Sequence, residues 1–92
     1  MTLQVSFNYA GRDWTFEFNP STHRDKATDH ESVNEYYVER DGYTFCVNIP
    51  KEGGRMVLTH GAFIDWVREP GDDGGTELYI DTFNAELKIL TK

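Results

Sequence analysis

The segment TLQVSFNYAGRDWTFEF, residues 2–18, decides the fold of this 92-residue chain. Hydrophobic residues alternate with polar ones before the turn at Ala10-Gly11-Arg12-Asp13, and the alternation resumes after it. A period of two on both sides of a glycine-containing turn is typical of an antiparallel hairpin. The sequence therefore predicts two paired strands with one buried face, which carries Leu3, Val5, Phe7, Tyr9, Trp14, Phe16 and Phe18.

A second hairpin follows further along the chain. Two runs rich in β-forming residues, Val33–Arg40 and Tyr43–Ile49, are separated by Asp41-Gly42. Asp-Gly between such runs predicts a type I′ turn, which needs positive φ at both central residues. A final strand is predicted from residue 78 to 89, and its alternation shifts phase near Asp81-Thr82, which indicates a turn or bulge there.

One segment departs from strand periodicity, because its hydrophobic residues fall on one face of a helix: Ala62, Phe63, Trp66 and Val67. In a regular strand, Asp65 would lie beside Phe63 and Val67 on the buried face. The spacing therefore predicts a short helix over His60–Glu69, ended by Pro70-Gly71.

Together these elements predict an α+β domain, residues 1–92, with an antiparallel β-sheet built from hairpins and one short packed helix. The alternative is an all-β barrel or sandwich in which residues 62–69 form a further strand. Residues 19–32 contain almost no hydrophobic side chains and are predicted to be a long polar connection, either mobile or functional.

Composition narrows the class of protein. Aromatic residues make up 14% of the chain, which favours a folded core over disorder. A single cysteine, Cys46, excludes an intramolecular disulfide framework, and residues 1–6 lack the features of a secretory signal. No hydrophobic run approaches the length of about 20 residues that spans a bilayer. We expect a soluble cytoplasmic protein, either a monomer or a homodimer.

Most of the negative charge lies in one stretch. The chain carries −7 overall, and residues 65–86 contain seven acids and one base, Arg68. Such a surface disfavours direct binding to nucleic acid or membrane and favours a protein partner with a basic surface. The predicted partner-binding residues are Asp65, Glu69, Asp72, Asp73, Glu77, Tyr79 and Asp81.

No catalytic, metal or cofactor motif accompanies this charge. His23 and His30 lie among acids in the polar connection, but their spacing matches no zinc motif. Cys46 has no helix N-terminus or base nearby in sequence to activate it. We therefore expect a protein that is not an enzyme and needs no cofactor or metal.

The function that these observations favour is a small acidic protein-binding module, an inhibitor or regulator that docks on a basic nucleic-acid-handling protein. In size and charge the chain is similar to small acidic phage inhibitors of the anti-restriction and anti-CRISPR type, some of which mimic nucleic acid. One alternative is a subunit or adaptor that binds through an exposed aromatic patch with Arg40 or Arg68. The candidates for that patch are Tyr9, Trp14, Tyr36, Tyr37, Tyr43, Trp66 and Tyr79. A further alternative is a small enzyme or ligand-binding protein that uses residues 19–32.

Overall fold

The architecture is a β-sheet with very little helix. A computed structural model describes residues 1–23, 27–71 and 79–91, and for Tyr79 and Ile80 it describes the backbone. The strands are β1 (Thr2–Tyr9), β2 (Arg12–Phe18), β3 (Ala27–Asp29), β4 (Val33–Arg40), β5 (Tyr43–Glu52), β6 (Arg55–Met56), β7 (Ala62–Arg68) and β8 (Tyr79–Thr91). A 3-10 turn, Leu58–His60, precedes β7. No helix in these ranges is long and apolar enough to cross a membrane.

All neighbouring strands in this part of the chain are antiparallel. The order across the sheet is β2-β1-β8-β7-β5-β4-β3, and β6 pairs with β5 outside that order. The sheet curls into a half-barrel, so side chains of β2 meet side chains of β4. The Phe18 and Tyr36 rings lie 5.1 Å apart between their centroids, and Arg12 forms an ion pair with Asp41 beyond the end of β4.

Both predicted hairpins are confirmed. β1 pairs with β2 and β4 pairs with β5 through two-residue turns. The φ angles are 56° at Ala10 and 74° at Gly11 in the first turn, and 54° at Asp41 and 83° at Gly42 in the second. Positive φ at both central residues matches the right-handed twist of the flanking strands, which is why these turns set the register of each hairpin.

The predicted helix over His60–Glu69 is wrong, and with it the α+β class. Residues Ala62–Arg68 form the strand β7, between β5 and β8 in the sheet. The all-β alternative is consistent with this architecture. Trp66, which was assigned to the helix's buried face, instead contacts Tyr37 on the outer face of the sheet.

A β-bulge explains the helix-like spacing. Two cross-strand pairs between β5 and β7 face the core. One residue, Cys46, lies between these pairs on β5, whereas two residues, Asp65 and Trp66, lie between them on β7. The extra residue lets Asp65 and Trp66 share the outer face and returns Val67 to the core. The predicted irregularity near Asp81 is confirmed. Between the same two cross-strand pairs of β7 with β8, β8 has one more residue than β7.

The hydrophobic core fills the inner face of the half-barrel. Phe45 is 0% exposed, and its ring lies 4.8 Å from Trp14, 5.0 Å from Phe7 and 5.2 Å from Phe16 between centroids. The Arg12 guanidinium covers the Trp14 ring at 3.8 Å. Aromatic side chains supply much of this core, which suits a short chain with few aliphatic residues.

Candidate functional site

The outer face of the sheet at β4, β5 and β7 carries a cluster of polar and aromatic side chains. Strand alternation turns Glu35, Tyr37 and Glu39 of β4 to this face. They lie opposite the outward-facing residues of β5, which include Cys46. The bulge in β7 adds Asp65 and Trp66 to the same face. We call the set Glu35, Tyr37, Glu39, Asp65 and Trp66 the outer-face cluster.

Cys46 lies beneath this cluster and is 0% exposed. Its thiol donates a hydrogen bond of 3.3 Å to Glu35 Oε2, and the other carboxylate oxygen of Glu35 accepts one from His30 Nε2. Asn48 Nδ2 donates to the Cys46 carbonyl oxygen at 3.3 Å. Ligand atoms of Glu35, Cys46 and Asp65 lie within 4.8 Å of one another.

This environment keeps the thiol protonated. Burial raises the pKa of Cys46 strongly, and the hydrogen bond to Glu35 and the negative charge of Glu35 raise it further. A protonated buried thiol is a poor nucleophile, so Cys46 is a packing residue and a hydrogen-bond donor here. Glu35, Cys46 and Asp65 are residues that could hold a divalent metal ion, which would have to displace the thiol proton.

The raised pKa of Cys46 predicts an alkaline loss of stability. Below about pH 8.5, the ordinary pKa of cysteine, the folded and unfolded chains both keep the proton. Above it the unfolded chain releases the proton and the folded chain retains it, so the free energy of unfolding falls by about 1.4 kcal/mol per pH unit. Urea unfolding at pH 7.5 and 9.5 should show a smaller decline for Cys46→Ala than for the unsubstituted protein. Equal declines in the two proteins would contradict this explanation.

Two aromatic rings form the apolar part of the outer-face cluster. Tyr37 and Trp66 are both partly buried, and their ring centroids lie 5.6 Å apart at an interplanar angle of 38°. The other aromatics considered for an exposed patch fall differently: Tyr9, Trp14 and Tyr36 are buried in the core, and Tyr43 packs against it. Of the predicted patch residues whose side chains the structure describes, Tyr37 and Trp66 therefore lie together on the outer face.

The structure describes the side chains of three of the seven predicted partner-binding residues, Asp65, Glu69 and Asp81. Asp65 belongs to the outer-face cluster, and Asp81 is exposed at the bulge of β8 opposite it. Glu69 follows β7 and accepts a hydrogen bond of 2.9 Å from the Tyr9 hydroxyl, so it is engaged with a core residue. Tyr79 is the first residue of β8 and pairs with Val67. The remaining three, Asp72, Asp73 and Glu77, lie outside the described residues.

Sequence reasoning missed two members of the outer-face cluster, Glu35 and Glu39. Glu35, Tyr37 and Glu39 alternate along β4, and their period of two could have placed them on the face opposite Tyr36. The signal that could not be read locally is the bulge, which brings Asp65 and Trp66 to these residues.

The segment between β2 and β4 contributes to a second feature, a cavity of about 430 Å³ at one mouth of the half-barrel. Its lining includes Pro20, Tyr36 and Met56, with Asn34 and Lys51 among its polar members. Lys51 donates to the His30 carbonyl oxygen at 2.8 Å. His23 Nε2 donates a hydrogen bond of 2.9 Å to the Tyr37 carbonyl oxygen, whereas His30 contacts Glu35. The two histidines therefore have different partners and form no joint site.

No protein-family model, no curated protein and no solved structure matches this chain.

Proposed function

We propose that this protein is a small acidic binding module that docks its outer-face cluster against a basic surface of another protein, in the cytoplasm and without catalysing a reaction. The observation that carries the proposal is the Tyr37–Trp66 ring pair beside the carboxylates of Glu35, Glu39 and Asp65. Aromatic anchors surrounded by polar groups are typical of the energetic centre of a protein interface.

Charge supports a basic partner. The chain carries −7, and Glu39 and Asp81 are exposed close to the ring pair. Arg68 lies on the same face, where it pairs across the strands with Thr44, and Thr44 in turn pairs with Glu39. No ion pair joins Arg68 to Glu39 in the described part of the chain. Complementary charge accelerates association and selects against acidic partners.

The role proposed for this surface is inhibition or regulation of a nucleic-acid-handling protein. Glu35 and Glu39 flank Tyr37 on one strand face, four residues and therefore about 13 Å apart along the strand. That separation is about twice the distance between neighbouring phosphates on a nucleic-acid strand, so the two carboxylates match alternate phosphates. An acidic protein face with such spacing can occupy a basic groove that otherwise binds phosphates.

A second candidate function is small-ligand binding at the mouth of the half-barrel. The cavity there has a volume of about 430 Å³, within the range of about 300–1,000 Å³ that is usual for ligand sites. Part of its lining comes from the segment between β2 and β4, including Pro20 and Asp29. The two candidates use opposite faces of the sheet, so a footprint distinguishes them.

An amide NMR titration tests the proposed function. The ¹⁵N-labelled protein is titrated with a 12-residue peptide of alternating lysine and arginine, and with a glutamate-substituted control peptide. We expect the basic peptide to shift the amides of Tyr37, Cys46 and Trp66 most, because they lie at the centre of the proposed interface. Shifts confined to Met1, Tyr36 and Met56 would favour the cavity, and the absence of any shift would refute docking on a basic partner.

A further inference from the structure

The Tyr37–Trp66 pair differs from the rings of Trp14 and Phe16 in what covers it. Arg12 lies over the Trp14 ring at 3.8 Å, and Arg40 lies over the Phe16 ring at 5.5 Å. Across residues 1–23, 27–71 and 79–91, no arginine or lysine lies over Tyr37 or Trp66 in this way. Two of the protein's own guanidinium groups thus cover rings of β2, while none in the described part of the chain covers the outer pair.

Carboxylates surround the ring pair on the outer face. Glu35 and Glu39 lie two residues on either side of Tyr37 along β4, and the bulge in β7 sets Asp65 next to Trp66. Hydrogen bonds from Cys46 and His30 hold the Glu35 side chain, which is 12% exposed. Glu35 is therefore positioned before any partner arrives, which lowers the entropic cost of binding at this carboxylate.

This combination suits one kind of side chain. A guanidinium group is planar, stacks flat on an aromatic ring and donates hydrogen bonds to carboxylates at its edge. An ammonium group is a compact, strongly hydrated charge, so it stacks less well on the ring and matches the carboxylates less well than a guanidinium group does.

We propose that the Tyr37–Trp66 pair, with the carboxylates of Glu39 and Asp65, receives an arginine side chain of the basic partner. The inference rests on the proposed docking of the outer-face cluster and adds the identity of the group that is recognised. Arginine stacks on the exposed side of the ring pair and directs its N–H groups to the carboxylates. Glu35 contributes negative charge from below, while its own oxygens accept hydrogen bonds from Cys46 and His30.

Peptides of equal charge test the preference. Hexa-arginine and hexa-lysine amides are titrated into the protein at about 50 mM salt, where electrostatic attraction is weakly screened. We expect the protein to bind hexa-arginine at least fivefold more tightly. Trp66→Leu, which keeps apolar bulk but removes the ring, should reduce the preference to less than twofold, and Trp66→Phe should retain most of it. Circular dichroism of each variant checks that it is folded, and Tyr37→Leu replaces Trp66→Leu if that variant does not fold.

The outcomes separate this inference from the proposed function. Equal affinity of the unsubstituted protein for the two peptides would overturn arginine recognition and leave docking on a basic partner intact. A preference that survives unchanged in Trp66→Leu would show that the ring pair does not recognise arginine. Failure of both peptides to bind would refute the proposed function itself.

Discussion

Replacing Phe45 with alanine should lower the free energy of unfolding by about 3–5 kcal/mol. Phe45 is 0% exposed and contacts the rings of Phe7, Trp14 and Phe16. The substitution removes the transfer free energy of a large ring and leaves a cavity that the surrounding rings cannot fill without changing their own packing. A domain of this size has a total stability of about 5–15 kcal/mol, so the variant should be close to unfolding at physiological temperature.

Urea denaturation followed by tryptophan fluorescence measures this effect. Thr44→Ala is the matched control, because Thr44 is the adjacent residue on β5 and lies on the opposite, partly exposed face. We expect the control to change the free energy of unfolding by no more than about 0.5 kcal/mol. A loss of less than about 1.5 kcal/mol for Phe45→Ala would contradict a core built around this ring.

The hairpins could be predicted because their determinants are local. Alternation identifies the buried face of β1, β2, β4 and β5, and Asp41-Gly42 supplies the backbone conformation of the turn. The same reasoning explains why all seven residues predicted for the buried face of the first hairpin belong to the core, where they make up seven of the 15 buried cluster residues in the described part of the chain. These signals do not depend on which strands later become neighbours.

The strand β7 could not be predicted in the same way. Its bulge exists because β5 and β8 pair with it on both sides, and neither register can be read from residues 62–68. Asp65 and Trp66 then imitate helical spacing, since two consecutive residues face the same side. The candidate site has the same origin: the acidic stretch indicated Asp65, but Glu35 and Tyr37 join it only through sheet pairing.

Neutralising the exposed acids Glu39 and Asp81 and the partly buried Asp65 should weaken binding of a basic partner by about tenfold. The triple variant Glu39→Gln, Asp65→Asn and Asp81→Asn removes three negative charges near Trp66 and retains Glu35, which holds the Cys46 thiol. Each exposed pair with a cationic partner is worth about 0.2–1 kcal/mol, and the three together about 1–3 kcal/mol. Affinity should also lose much of its dependence on salt, because that dependence comes from the removed charges.

A control variant with the same change in net charge separates local from global electrostatics. Glu17→Gln, Glu31→Gln and Glu52→Gln also remove three exposed acids. Glu17 lies on β2, which is three strands from β7, about 14 Å across the sheet. Glu31 precedes β4, whose first residue lies about 13 Å along the strand from Tyr37, and Glu52 lies about 20 Å along β5 from Cys46. All three separations exceed the screening length of about 8 Å at physiological salt, so these acids contribute little at the ring pair. Thermal unfolding of both variants checks that differences in binding do not reflect loss of the fold.

Calorimetry at about 150 mM salt compares the affinity of the two triple variants for the 12-residue lysine–arginine peptide. This comparison measures how far binding depends on the outer face of the sheet. We expect the variant at Glu39, Asp65 and Asp81 to bind the peptide about tenfold more weakly than the unsubstituted protein. The affinity of the control variant should stay within about twofold of the unsubstituted value. Equal loss in both variants, or unchanged affinity in the first, would contradict docking through the outer face of the sheet.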